Sequence, residues 1–255
     1  NPTPTTENYT YTESSAASDV YKRQVMHTGL YNRNRKGRSN NFVDPAELLE
    51  DGIYELELEE RLGGDELLME YVTELMNWNR VYNLTSVRKP TDIVTRHILD
   101  SLTILPYLHG ERILDIGTGA GLPGIPLAIA CPEREFVLLD SSSKKLRFVQ
   151  QTLGILNLDN VTLEDCRVEE FQPEALFDTV ICRAFSDLPD FYRYAARLCN
   201  EGGRMLAMKG VYPMTEVECL DDKSVIDDVV SLKVPGLDAE RHLVMMHAAE
   251  SSQGS

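Results

Sequence analysis

The sequence predicts an α/β fold: a mostly parallel sheet with a helical extension ahead of it and an antiparallel strand at its end. Three observations carry this expectation. After Arg112, five short β-rich runs (RILDIG, EFVLLD, NVTLED, FDTVICRAF and GGRMLAMKG) alternate with helical segments near residues 122–130, 142–156 and 187–199. Strands that alternate with helices form βαβ units and hence a parallel sheet. The last segment, SVIDDVVSLKVPGLDAERHLVMMHA, reads instead as two strands joined across Pro235 and Gly236, an antiparallel hairpin.

The elements follow in chain order. Residues 1–42 are polar, rich in Ser, Thr, Asn and Tyr, and without periodicity, which predicts a disordered leader. Within it SSAASDVYKRQ (14–24) resembles translated adapter read-through, so residues 1–24 are expected to be non-native, with Met26 a natural start. Residues 43–108 form the predicted helical extension. EYVTELMNWNRVYNL spaces Tyr71, Leu75, Trp78 and Val81 at three- and four-residue steps, which gives one apolar face. Thr91 then stands as the N-cap of a second helix, TDIVTRHILDSLTILPYL. Residues 109–250 make the α/β core, and 251–255 a short tail.

Composition excludes several classes. With 255 residues and 42% apolar content the chain can bury one full core. No apolar run approaches the roughly 20 residues that a membrane span needs. The five cysteines (131, 166, 182, 199 and 219) are odd in number and never paired as CxxC. That argues against a disulfide framework or a zinc site, and for a reducing cytosol. No metal is expected. The net charge of −16 disfavours a nucleic-acid partner. It is uneven, however: residues 44–70 hold eleven Asp and Glu against one Arg, whereas Arg80, Arg88, Lys89, Arg96 and Arg112 outnumber the acids between 80 and 112. A local basic face survives an acidic total.

The chemistry concentrates at LDIGTGAGLPGIPLAI (114–129). Glycines let the backbone turn tightly and approach a ligand, and the helix that follows offers free N–H groups. Gly119-x-Gly121-x-x-Gly124 matches the dinucleotide fingerprint literally, and Asp140, 19 residues past Gly121, stands where a carboxylate grips ribose hydroxyls. A nicotinamide enzyme and an S-adenosylmethionine enzyme both fit. Asp115 favours the second, because a carboxylate two residues before Gly117 faces a cationic aminoacyl end well and repels a pyrophosphate. The bland alternative makes Asp115 a cap of the following helix.

MNWNRVYNLTSVRKPTDIVTRHILDSL, LDIGTGAGLPGIPLAI, LLDSSSKKLRFV, CRVEEF, CRAFSDL, AMKG and ERHLV, in that order over residues 46–249, together resemble the RsmG (GidB) methyltransferases. The resemblance implies a Rossmann-like S-adenosylmethionine-dependent fold. It also implies a cytoplasmic enzyme that methylates N7 of a guanine in the 530 loop of 16S rRNA. Carried across, it has Gly117 and Leu122 line the methionine part of the cofactor, Val168 and Glu169 sit by the adenine, and Arg183 close the site near the reacting end. With Asp115, Gly119, Gly121 and Asp140 these complete the expected cofactor set. Cys166 and Cys182 replace small polar residues of the family and are read as buried substitutions. The partner would be 16S rRNA or the small ribosomal subunit. The alternatives are a methyltransferase acting on a small molecule or another RNA, and a cofactor-binding assembly factor. Oligomeric state stays open, with a monomer expected.

Acceptor chemistry is consistent with that resemblance. Pyrimidine C5 needs a cysteine nucleophile, and Cys182 has no activating base nearby in sequence. Guanine N7 offers an exposed lone pair and no proton, so Arg183 would act by positioning and no general base is expected. Arg88, Lys89, Arg96, His97 and Lys209 are the candidate RNA contacts. His97 with Asp100 and Ser101 also reads as a structural hydrogen-bond cluster, and Lys209 equally as a plain surface lysine. Asn83 reads as an anchor of the extension, and Lys144, Lys145 and Arg147 as a solvated face.

Overall fold

A computed structural model describes residues 43–62, 65–185 and 187–248. The expected leader 1–42 and the tail 251–255 lie outside the described residues. Helices α1 (Pro45–Glu55), α2 (Glu59–Leu62) and α3 (Glu66–Tyr82) come first. A broken helix follows: α4 (Pro90–Ile93), a π-helical stretch Val94–Leu99, then α5 (Asp100–Leu102). The core runs β1 (Arg112–Ile116), α6 (Gly124–Ala130), β2 (Glu135–Asp140), α7 (Ser143–Leu156), β3 (Val161–Asp165), β4 (Phe177–Arg183), α8 (Leu188–Ala195) and β5 (Cys199–Lys209). It ends with α9 (Met214–Glu218), β6 (Ile226–Ser231) and β7 (His242–Met246).

The sheet order is β3-β2-β1-β4-β5-β7-β6. Strands β1 to β5 pair in parallel, and β7 runs antiparallel to both β5 and β6. This is the mostly parallel sheet that the β-runs predict, with the antiparallel strand expected of the last segment and the Rossmann-like arrangement that the resemblance implies. Strand order reverses between β1 and β4, so a crevice opens beyond their carboxyl ends. Alternation along the strands splits the core. Ile113 packs on the face covered by α3, α6 and α7, whereas Leu114 and Ile116 face α8.

Two helical expectations shift. In α3 the buried face is Leu68, Met69, Tyr71, Val72, Leu75 and Asn79, while Val81 is 70% exposed. The chain turns the polar Asn79 inward because the following loop needs it. Asn79 Nδ2 donates to Val87 O at 2.9 Å, and its Oδ1 accepts from Thr85 N at 3.0 Å. Asn83 ends the helix in a left-handed conformation, φ 51°. Thr91 is not the cap of the second helix. Pro90 takes its first position, where a missing N–H and a preset φ suit it, and Lys89 precedes as an extended cap residue.

Candidate cofactor cleft and its arginine edge

The glycine loop leaves β1 and enters α6. Gly117, Gly119 and Gly121 all hold positive φ (72°, 62° and 86°), a region that L-residues with side chains disfavour. Their surroundings differ. A Cβ on Gly117 would meet only Phe185, at 4.0 Å, and one on Gly119 nothing nearer than 3.9 Å, so both open onto free space. A Cβ on Gly121 would strike Ile125 at 2.4 Å, and one on Gly124 would strike Leu138 at 2.2 Å. Those two glycines serve close packing of the loop and α6.

Asp115 is fully buried at the root of the loop. Its Oδ2 accepts from Thr118 Oγ1 at 2.7 Å and from Gly124 N at 3.0 Å, at the first residue of α6. The helix-cap reading is therefore correct for that oxygen. Oδ1 has no partner among the described residues. Burial raises the carboxyl to about 6, against the lowering effect of the Thr118 and Gly124 hydrogen bonds and of the Arg183 charge. A buried carboxylate oxygen left without a donor calls for one. A cationic ligand nitrogen would supply that donor, and Asp115 stands behind the residues that line the cleft rather than among them.

Asp140 ends β2 beside the loop. Its Oδ2 accepts from Gly119 N and its Oδ1 from Ser142 N, both at 2.8 Å. The carboxylate thus ties the glycine loop to β2 before any ligand arrives, and each oxygen keeps a further lone pair. Ile116, Gly117, Asp140, Lys145, Val168 and Glu169 are among the residues lining a cleft of about 330 Å³, within the usual range of about 300–1,000 Å³ for ligand pockets. The connection 166–176, which carries Val168 and Glu169 to this wall, is a loop. Leu122 is not brought there. It is 4% exposed and packs in the core under α6.

Arg183 stands at the end of β4, one residue past Cys182, which pairs with Ile116. Its Nη1 lies 3.3 Å from Arg96 O and 3.4 Å from Asp100 Oδ2. His97 is buried. Its Nδ1 lies 2.9 Å from Arg96 O, so that nitrogen takes the N–H and Nε2 accepts from Thr85 Oγ1 at 2.8 Å. Burial, with the Arg183 charge, pulls the imidazole down to about 4. It is neutral near pH 7. Ser101 Oγ donates to His97 O at 2.6 Å, so of the expected His97, Asp100 and Ser101 cluster two members bond each other, while the Asp100 carboxylate turns to Arg183 and Arg241. The Cys182 thiol is buried, and burial pushes it well above its ordinary range.

The other candidates divide. Arg88 donates to Asn79 O and to Asn83 Oδ1, both at 2.6 Å, and so closes the carboxyl end of α3. Lys89 and Arg96 are exposed nearby. Lys209 pairs with Glu216 at 2.6 Å with its side chain 11% exposed. Of the helix-face lysines, Lys145 lines the cleft and the Lys144 ammonium sits 5.1 Å over the Tyr82 ring. Tyr71, Thr85 and Arg241 were not visible as site residues in the sequence. Tyr71 Oη donates to Ala120 O at 2.7 Å, 49 residues away, so α3 supports the glycine loop directly. Among the described residues no group of three or more His, Cys, Asp or Glu is placed to hold a metal. No described helix is long and apolar enough to cross a membrane.

The family model for rRNA small subunit methyltransferase G matches residues 65–244. The ribosomal RNA small subunit methyltransferase G of Idiomarina loihiensis is 46% identical over 211 residues, 83% of this chain and 98% of that one. Its namesake from Escherichia coli (strain SMS-3-5 / SECEC) is 50% identical over 181 residues, 71% of this chain and 87% of that one. A solved ribosomal protein L11 methylase from Lactobacillus delbrueckii subsp. bulgaricus is similar at 14% identity and TM-score 0.47, covering 58% of this chain and 76% of that one. With its match to the family model running unbroken from α3 into β7, the chain belongs to the rRNA small subunit methyltransferase G family.

Proposed function

We propose that the protein transfers a methyl group from S-adenosylmethionine to N7 of a guanine in the 530 loop of 16S rRNA. In this reading the core at 109–250 holds the cofactor, and the helical extension at 43–108 helps hold the RNA. The observation that carries the cofactor assignment is Asp115 Oδ1, buried and unpartnered at the root of an open glycine loop. When bound, S-adenosylmethionine supplies an electrophilic methyl on a sulfonium centre.

The residues have separable tasks. Asp115 Oδ1 takes the cationic amino group, Gly117 and Gly119 leave room for the aminoacyl arm, and Asp140 offers its remaining lone pairs to ribose hydroxyls. Val168 and Glu169 border the base. Arg183 places positive charge near the reacting end. The lone pair of guanine N7 carries no proton, so alignment and charge suffice and the chain need not supply a base. The neutral, hydrogen-bonded His97 and the buried Cys182 agree with a site that runs without base or nucleophile.

The test is methyl incorporation into small subunits, or their rRNA, from cells lacking the family enzyme, with the modified nucleotide mapped. One methyl at a guanine of the 530 loop is the expected result. Loss of incorporation when that guanine is replaced by its 7-deaza analogue would fix the acceptor atom. Incorporation into the 7-deaza RNA at the same nucleotide would rule N7 out.

A further inference from the structure

Asp100 opens α5 and is 3% exposed. A buried carboxylate is costly unless cations and hydrogen bonds meet it. Here two guanidinium groups do, each from a different part of the chain. Oδ2 accepts from Arg183 Nη1 at 3.4 Å, and Oδ1 accepts from Arg241 Nε at 2.9 Å. Arg183 ends β4. Arg241 immediately precedes β7, whose first residue, His242, pairs with Lys209 at the end of β5. Both arginines therefore stand beyond the carboxyl ends of adjacent parallel strands, the edge where the glycine loop and Asp140 also lie. The carboxylate bridges them from behind, out of the π-helical stretch that ends at Leu99.

We propose that Asp100 is a positioning residue for methyl transfer. Its single negative charge holds two arginines side by side at the reaction edge, leaving one net positive charge there for the incoming nucleotide. The inference rests on the reading of Arg183 above. Without the carboxylate, Arg183 and Arg241 repel one another. Because His97 turns its Nδ1–H side to Arg183 at 3.4 Å and offers no acceptor, the guanidinium would keep only the neutral Arg96 carbonyl, at 3.3 Å. It would leave its place near Asp115, whose carboxyl its charge lowers. Misplacement of a positioning group on the ångström scale slows a reaction by about a hundredfold.

Asp100→Asn keeps the shape and one acceptor oxygen while removing the charge. The measurements are single-turnover methyl transfer at saturating RNA, S-adenosylmethionine affinity by calorimetry, and thermal melting. The expected result is transfer at saturating cofactor slowed by about tenfold to a hundredfold, beyond any accompanying loss of cofactor affinity. A merely structural role would not give the further expectation. Asp100→Asn combined with Arg183→Ala should be no slower than Arg183→Ala alone, because residues that act through one another are non-additive. If Asp100→Asn does not fold, Arg241→Met removes the more exposed arm, and the same non-additivity with Arg183→Ala is expected. A wild-type chain that transfers no methyl to small-subunit RNA fails the underlying reading and this inference with it. A wild type that does transfer, with Asp100→Asn at the same rate or with the double variant slowed by the product of the single effects, overturns this inference alone.

Discussion

Asp115 gives the proposed cofactor site a pH dependence with a defined sign. Burial raises its carboxyl from 3.8 to about 6 in the folded chain. A raised carboxyl disfavours the ionised form in the fold, so its contribution to stability is fully present below the ordinary value and is lost as pH rises through about 6. Two units at about 1.4 kcal/mol each put the cost of holding the bare carboxylate near pH 7 at about 3 kcal/mol. A cation delivered to Oδ1 removes much of that cost, and it requires the ionised form. With half-ionisation at about 6, the ionised fraction falls about tenfold between about pH 7 and about pH 5. S-adenosylmethionine affinity, measured by calorimetry across that range, should fall by the same factor. Asp115→Asn should bind more weakly and lose the slope. In the unliganded chain, the variant's stability relative to wild type should improve by roughly 1 kcal/mol over the same rise in pH, read from urea unfolding. A wild-type affinity that is flat over this range, or a slope that persists in Asp115→Asn, would refute the assignment of Oδ1 to the cofactor's amino group.

Other outcomes follow from the same geometry. Gly119→Leu puts a side chain into the open cleft from a φ of 62°, with no contact at Cβ nearer than 3.9 Å. It should cost the fold only about 1–2 kcal/mol while abolishing measurable cofactor binding; undiminished binding would place the cradle elsewhere. Gly124→Ala brings Cβ to 2.2 Å from a Leu138 methyl and 2.9 Å from Asp115 Oδ2, and should instead destabilise by about 1–3 kcal/mol in denaturant unfolding. Because Arg88 closes α3, Lys89→Glu is the cleaner probe of the basic face. It should weaken RNA binding and lower the salt slope by about 0.7–1, leaving melting unchanged; an unaltered slope would move the RNA face away from this loop. At saturating cofactor and RNA, single-turnover transfer should vary little between about pH 6.5 and 8.5, since His97 titrates near 4. A sigmoidal rise in that window would reveal a base.

The fold was legible where local pattern decides it. Each of the five parallel strands is a short β-rich run, and Pro235 with Gly236 marks the turn region between β6 and β7. The parts that were missed depend on other things. α9 is five residues long, too short for a helical period to show. The stretch 90–102 reads as one continuous helix because six residues of wider π winding hold less than two turns, and the apolar positions hardly drift over so short a span. Val81 fits the apolar stripe of α3 by spacing, yet the loop after the helix recruits Asn79 and rotates the buried face towards it.

The site was legible to the extent that it is sequential. Asp115, the glycines and Asp140 belong to one β-loop-α-β unit, so spacing alone places them together, and Gly121 differs from Gly117 and Gly119 only through a neighbour that spacing does not show. The arginine edge has no such signature. Arg183 and Arg241 are joined through Asp100, and the Asp100–Arg241 contact spans 141 residues. It exists only because β7 returns antiparallel along β5. Tyr71 likewise reaches Ala120 across 49 residues. Its phenol is buried, and its proton has a carbonyl of the glycine loop to meet. The extension therefore supports the glycine loop of the proposed cofactor site as well as offering the proposed RNA surface. The helix touches the glycine loop through Tyr71 and holds the Asn79–Arg88 cap at its carboxyl end, so it joins the two faces proposed to bind cofactor and RNA.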